Sequence, residues 1–192
     1  MTLTFLVQHA QKQPGAGDPE LTALGHDQAA RTARWLSRLG LTAVYSSPQR
    51  RARQTAEAIA AATGLEVRLD DRLRERMNWD GRSPLSDFLA EWDRCTRDRD
   101  FVPRGGDSSH QAAARLREFL AERIGEPGPV AVVSHGGVTV DLLRSLLGDA
   151  GLPDQLIAEG VPPCAITTFD VLNVVGIART GHLHGTWRPF RL

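Results

Sequence analysis

The chain has 192 residues, 41% hydrophobic and 24% charged, with a formal net charge of zero. That length suits one domain with a sizeable core, and the neutral balance offers no long-range field for nucleic acid or an anionic membrane. The first apolar run, "LTFLV", is too short for a signal core and no run approaches a membrane span, so a cytoplasmic protein is the expectation.

Helical and strand patterns alternate along the chain, which predicts a parallel α/β sheet covered on both faces. "LTFLV" is the first strand. "LTALGHDQAARTARWLSRLG" follows, with Ala29, Ala33 and Leu36 at helical spacing and Gly40 as a stop. "LTAVYSS" is the second strand. "QRRARQTAEAIAAATG" is the second helix, with Ala52, Ala56, Ile59 and Ala60 on one face and Gly64 ending it. "LEVRLD" reads as a short edge strand. From about residue 76 to 110 the chain is rich in Gly, Pro, Asp and Arg around one amphipathic piece carrying Phe88, Leu89 and Trp92. This reads as an insertion capping a site, within a single 1–192 domain. "SSHQAAARLREFLAERIG" is a helix with Ser108 as N-cap. "PVAVVS" is the most hydrophobic strand and is expected at the centre. "GGVTVDLLRSLLG" is the next helix, and "CAITTFDV" and "NVVGIAR" close the sheet at one edge.

In such a sheet, function collects at the carboxyl ends of strands, where helix N-termini point their free N–H groups. Three of these ends carry polar residues: Gln8 and His9 in "VQHA", the stretch Tyr45 to Ala56, and His135, Gly136 and Gly137 in "VVSHGG". Glycines after His135 let backbone N–H groups approach an anion. Two histidines and an arginine-rich turn on one rim suit a tetrahedral oxyanion, most simply a phosphoryl group. Each piece alone has a plainer reading: a structural histidine, a solvated arginine face, a tight turn. Their shared position at strand ends favours the site.

These motifs resemble the histidine phosphatase superfamily, the phosphoglycerate-mutase-like fold. The family's first motif, Arg-His-Gly, reads Gln8-His9-Ala10 here. Ser46-Ser47-Pro48 opens a helix carrying Arg51-Ala52-Arg53-Gln54-Thr55-Ala56. Leu73-Arg74-Glu75 and Trp79-Asp80-Gly81 match the acidic motif, and Ser134-His135-Gly136-Gly137 the last one. "DPELTALGHDQA" is similar to the family's first helix start. The resemblance spans almost the whole chain, in order. It implies a single-domain three-layer sandwich whose mostly parallel sheet has helices on both faces.

It also implies a phosphomonoesterase that works through phosphohistidine on a small phosphorylated metabolite, without metal or cofactor. His9 is the implied nucleophile. His135 and Arg51 donate to the phosphoryl oxygens, and Glu75 is the general acid. Gln8, Arg51, Gly136, Lys12 and Ser108 are the implied substrate-binding residues. Gln8 stands where the family has an arginine, so the activity is expected to be weakened unless Lys12, the only lysine, or the substrate fills that place. Asp80 and Asp107 are reserve acids; the plainer reading of Glu75 is a surface pair with Arg74 or Arg76. The alternatives are a catalytically impaired phosphoester-binding scaffold and a phosphohistidine protein phosphatase. "HLH" at residues 182–184 would share one strand face but lacks a third metal ligand. Cys95 and Cys164 lack metal-ligand spacing and read as free thiols of a reducing compartment. Oligomeric state is not readable.

Overall fold

The chain enters the fold on a strand, β1 (Leu3–Gln8), and then alternates: α1 (Ala23–Leu36), β2 (Ala43–Ser46), α2 (Arg50–Thr63), β3 (Val67–Leu69). Two helices follow in succession, α3 (Leu85–Arg97) and α4 (Ser109–Glu122), then β4 (Val130–Ser134), α5 (Gly136–Leu147) and the short α6 (Asp154–Glu159). The strands β5 (Ile166–Asp170) and β6 (Asn173–Arg179) complete the sheet. This computed structural model describes residues 3–184, and the two ends of the expected 1–192 domain lie outside the described residues.

The sheet order is β3-β2-β4-β1-β5-β6. Pairing is parallel from β3 through β1 and antiparallel from β1 to β5 and β6. The sheet is therefore mixed, with its parallel part holding the strand ends of interest. β4 is central, as its hydrophobicity implied, and β3 and β6 are the edges.

Alternation along the strands feeds two cores. Phe5, Val7, Val44, Ala131 and Val133 pack with Ala33 and Leu36 of α1 and Ala52, Ala56 and Ile59 of α2. Leu6, Tyr45, Val130 and Val132 face the other way, against Leu116 and Phe119 of α4 and Leu142 and Leu143 of α5. The strands are buried on both sides, which is why they read as unbroken apolar runs. Each fully buried large side chain contributes about 1.5–3 kcal/mol, enough for this double core to hold the strand ends rigidly in place.

Two local expectations are corrected. The first helix stops at Leu36, with Ser37 as C-cap, not at Gly40. One tighter turn follows, with the Leu39 N–H donating to the Leu36 carbonyl at 3.0 Å, and Gly40 then takes the left-handed φ of +66°. Gly64 does end α2 as expected, at φ +70°. His182 and His184 lie on a 3-10 turn, Gly181–His184, so they share no strand face. His182 is buried beside Trp35, with its Nε2 3.0 Å from the Thr32 hydroxyl.

Candidate active site

The strand register brings the two histidines together. Gln8 pairs with Ser134 across β1 and β4, so His9 and His135 leave the sheet side by side. The His9 N–H donates to the Ser134 carbonyl at 3.0 Å, and the Ser47 N–H donates to the Val133 carbonyl at 3.0 Å. Three neighbouring strand ends thus share one rim. The imidazole rings stand edge-on, 5.2 Å between centroids.

His9 is held in one tautomer. Its Nδ1 lies 2.8 Å from the Ala10 carbonyl, an acceptor only, so Nδ1 carries the proton. Its Nε2 accepts from Arg51 Nε at 3.1 Å, which requires a lone pair there. Burial, with the Arg51 charge as the second cause, lowers the His9 pKa to about 3. The ring is neutral at physiological pH, with its lone pair aimed at a guanidinium.

Arg51 reaches this place from the first turn of α2. Its Nη2 donates to Gln49 Oε1 at 3.1 Å and to Asn78 Oδ1 at 3.4 Å. Its Nη1 lies 3.8 Å from Asp18, whose two oxygens accept from the Arg50 N–H at 2.8 and 2.9 Å. Burial pulls the Arg51 pKa below its ordinary value, against the attraction of Glu75 and Asp18.

His135 is the N-cap of α5 and is wholly buried. Its Nε2 lies 2.8 Å from Ser47 Oγ, and its Nδ1 has no hydrogen-bond partner among the described residues. If the Ser47 hydroxyl donates to Nε2, the proton sits on Nδ1; the residue lines neither of the two cavities described below. Burial first, then electrostatic coupling to His9 and the Arg51 charge, holds the ring well below the usual imidazole range.

Glu75 does not pair with Arg74 or Arg76 on the surface. Its carboxylate accepts from the Gly137 and Val138 N–H groups at 2.9 and 2.8 Å, and from the Arg76 N–H at 2.9 Å. It sits at the start of α5, where free N–H groups and the helix dipole favour an anion. A Cβ at Gly137 would lie 2.6 Å from both Glu75 Oε1 and the Trp92 ring, so one of these side chains would have to move.

His9, Lys12, Arg51 and Glu75 line one cavity of about 390 Å³, walled further by Trp79 and Trp92 from the 76–110 segment. Burial and the Arg51 charge lower the Lys12 pKa. Gln8 faces a second cavity, of about 210 Å³, shared with Gly136. Ser108 lines neither cavity: its hydroxyl accepts from the Gln111 N–H while Gln111 Oε1 accepts from the Ser108 N–H, a closed capping box on α4. Asp107 is clamped by Arg74 and Arg115 at 2.8 Å each. Asp80 pairs with Arg82, away from His9.

Sequence reasoning missed the supports: Gln49, Asn78 and Asp18 around Arg51, and Thr55, whose hydroxyl accepts from the Ala10 N–H at 3.0 Å. Thr55 and Ser47 stood within the quoted motifs, but nothing in the spacing said that they serve the two histidines. No group of three or more metal-ligating side chains occurs among the described residues. No described helix is long and apolar enough to cross a membrane.

A family model described as "Histidine phosphatase superfamily (branch 1)" matches residues 5–173. A glucosyl-3-phosphoglycerate phosphatase of Mycobacterium tuberculosis is 33% identical over 193 residues, covering 93% of this chain and 80% of the relative. A probable phosphoglycerate mutase of Escherichia fergusonii is 33% identical over 165 residues, covering 77% and 76%. Among solved structures, the mycobacterial glucosyl-3-phosphoglycerate phosphatase with inorganic phosphate superposes with a TM-score of 0.70 at 31% identity, covering 88% of this chain and 90% of that one. A phosphoserine phosphatase variant from Entamoeba histolytica, with phosphoserine, gives 0.68 at 25% identity over 95% of this chain and all of that one.

Proposed function

The chain belongs to the histidine phosphatase superfamily and is a phosphomonoesterase, and on that premise we propose that it hydrolyses a small phosphorylated metabolite through a phosphohistidine on His9. The observation that carries this reading is the His9 geometry: a neutral ring, fixed through Nδ1, presenting the Nε2 lone pair to Arg51.

In the proposed reaction a phosphoryl oxygen takes over the Arg51 N–H that rests on Nε2. Nε2 then attacks phosphorus as the ester P–O bond breaks. Glu75 takes a proton from the entering phosphate monoester and passes it to the departing oxygen. Water attacks the phosphohistidine, gives its proton to Glu75, and releases phosphate and the free imidazole. Splitting the transfer replaces one hard step by two easier ones. His135 Nδ1–H and the Arg51 fork hold the equatorial oxygens. Catalysis is then mainly positioning and charge stabilisation, with no metal in the scheme. Lys12 adds positive charge at the rim, Gly136 opens the α5 N-terminus, and the 76–110 segment caps the substrate. Ser108 has no substrate contact in this proposal. The cytoplasm is its proposed compartment, supported by two buried free thiols, Cys95 and Cys164.

Gln8 favours a second reading, an impaired binder of phosphoesters on the same fold, because it lacks the charge of the family's arginine. Rapid mixing with p-nitrophenyl phosphate separates the two. A p-nitrophenolate burst with phosphate on His9 supports the enzyme; binding without burst or turnover supports the binder.

A further inference from the structure

The cavity that holds His9 is polar at the strand ends and mostly apolar elsewhere, where Leu85, Phe88 and Trp92 of α3 line it together with Trp79. Leu85, Phe88 and Trp92 fall at helical spacing, on one face of α3. An amphipathic helix normally buries such a stripe in the core. Here it does not. None of these side chains joins the packed cores on the two faces of the sheet, and Cys95 is the buried residue of α3. Leu85 stays 47% exposed. The apolar face of α3 is spent on the cavity.

The rings reach the reacting end. The Trp92 ring edge and Glu75 Oε1 both lie 2.6 Å from where a Cβ on Gly137 would stand, so the indole borders the proposed acid. Phe88 stands beside Trp92, with ring centroids 6.0 Å apart, and the Arg76 guanidinium lies 4.0 Å from the Trp92 centroid and steadies the ring. Trp79 Nε1 donates to the Ser83 carbonyl at 2.9 Å, so its one polar atom is used within its own loop.

Charge narrows the ligand further. Among the described residues, Arg51 and Lys12 are the cations that line this cavity. A phosphate monoester engages both through its own negative charge. A carboxylate elsewhere on the substrate would find no further cation there and would meet Glu75. The Asn78 amide is already committed, to Arg51 and to the Gly17 carbonyl. Hydroxyls placed against the rings would give up hydrogen bonds to water without replacement. We propose that the α3 stripe and Trp79 bind the alcohol part of the ester, and that the enzyme selects phosphate monoesters of aromatic or other apolar alcohols over those of polyols and hydroxy acids. This rests on the phosphatase reading above.

2-Phenylethyl phosphate, glycerol 3-phosphate and 3-phosphoglycerate make the test, because all three are primary alkyl esters whose leaving oxygen needs a proton. The expected kcat/KM favours 2-phenylethyl phosphate over each polar ester by about tenfold or more. Phe88→Ser removes one ring from the wall and should lower that ratio by about threefold or more. Leu85→Ser repeats the test at an exposed position, where a folding defect cannot stand in for the result. A wild-type ratio below about three, or a ratio unchanged in both variants, overturns the proposal. If no ester turns over, p-nitrophenyl phosphate included, the phosphatase reading fails by itself. Calorimetry with the same three esters then decides: tighter 2-phenylethyl phosphate binding that Phe88→Ser or Leu85→Ser weakens supports the apolar wall as the binding surface, and no preference overturns it.

Discussion

Arg51 Nε donates to His9 Nε2 at 3.1 Å, so the nitrogen proposed to attack phosphorus is covered by the group proposed to bind the phosphate. The same contact fixes the lone pair and marks the place of the incoming oxygen. His9→Ala should abolish turnover, by several decades, while circular dichroism and melting stay those of a folded protein. Activity within about tenfold of wild type would remove His9 from the covalent role.

Glu75→Gln should harm alkyl phosphates far more than p-nitrophenyl phosphate, since an activated phenolate leaves without a proton and an alkoxide does not. The structure adds a second effect. Both Glu75 oxygens accept backbone N–H groups. A glutamine must turn its NH₂ toward at least one of them, which should lower stability by about 1–3 kcal/mol. Equal kinetic losses on both substrates would move the acid role away from Glu75. An unchanged unfolding midpoint would deny the capping role.

How much of this was legible follows from where each residue sits. His9 and His135 stood out because polar residues end two of the most apolar strands. The Gln8–Ser134 register then does the rest. The fold was legible for the same reason, through the unbroken runs of β1 and β4. Glu75 was found, but its capping of α5 was not, because the contact joins a loop to a helix start 62 residues away. Arg76 and Asp141 were missed as a pair: 65 residues separate them, and each reads as an ordinary polar position. Ser108 was expected at the substrate because its neighbours looked like a family segment. In this chain its hydroxyl accepts the Gln111 N–H as the cap of α4.

Stability should fall as pH falls below about 6.5. His9 has its folded pKa lowered to about 3, His182 to about 4, and His135 well below 6.5. Between those values and the ordinary imidazole value, the unfolded chain binds protons that the native state does not, so stability is full above 6.5 and is lost on acidification. Asp141 opposes this: burial raises its pKa to about 6, so it favours the native state as pH falls from 6 toward 4. Three histidines outweigh one aspartate, and the net slope stays positive with pH. Urea unfolding from pH 4 to 7 measures it. His9→Ala should remove close to one proton from the slope, about 1.4 kcal/mol per pH unit. An unchanged slope would mean that His9 titrates normally in the fold.

Gln8→Arg tests whether Gln8 limits the His9 chemistry. An arginine at this position would bring a charge and a fork of donors to the rim beside His9, where glutamine offers one neutral amide. One preorganised donor is worth roughly 2–4 kcal/mol at a transition state, so kcat/KM on p-nitrophenyl phosphate should rise about tenfold or more. The same side chain would take up part of the 210 Å³ space that Gln8 lines. A gain on the aryl ester would mean that Gln8 is a weakened clamp. Loss on every substrate would mean that the pocket has been rebuilt around glutamine, with the buried Arg76–Asp141 pair and the start of α5 leaving no room for a second guanidinium.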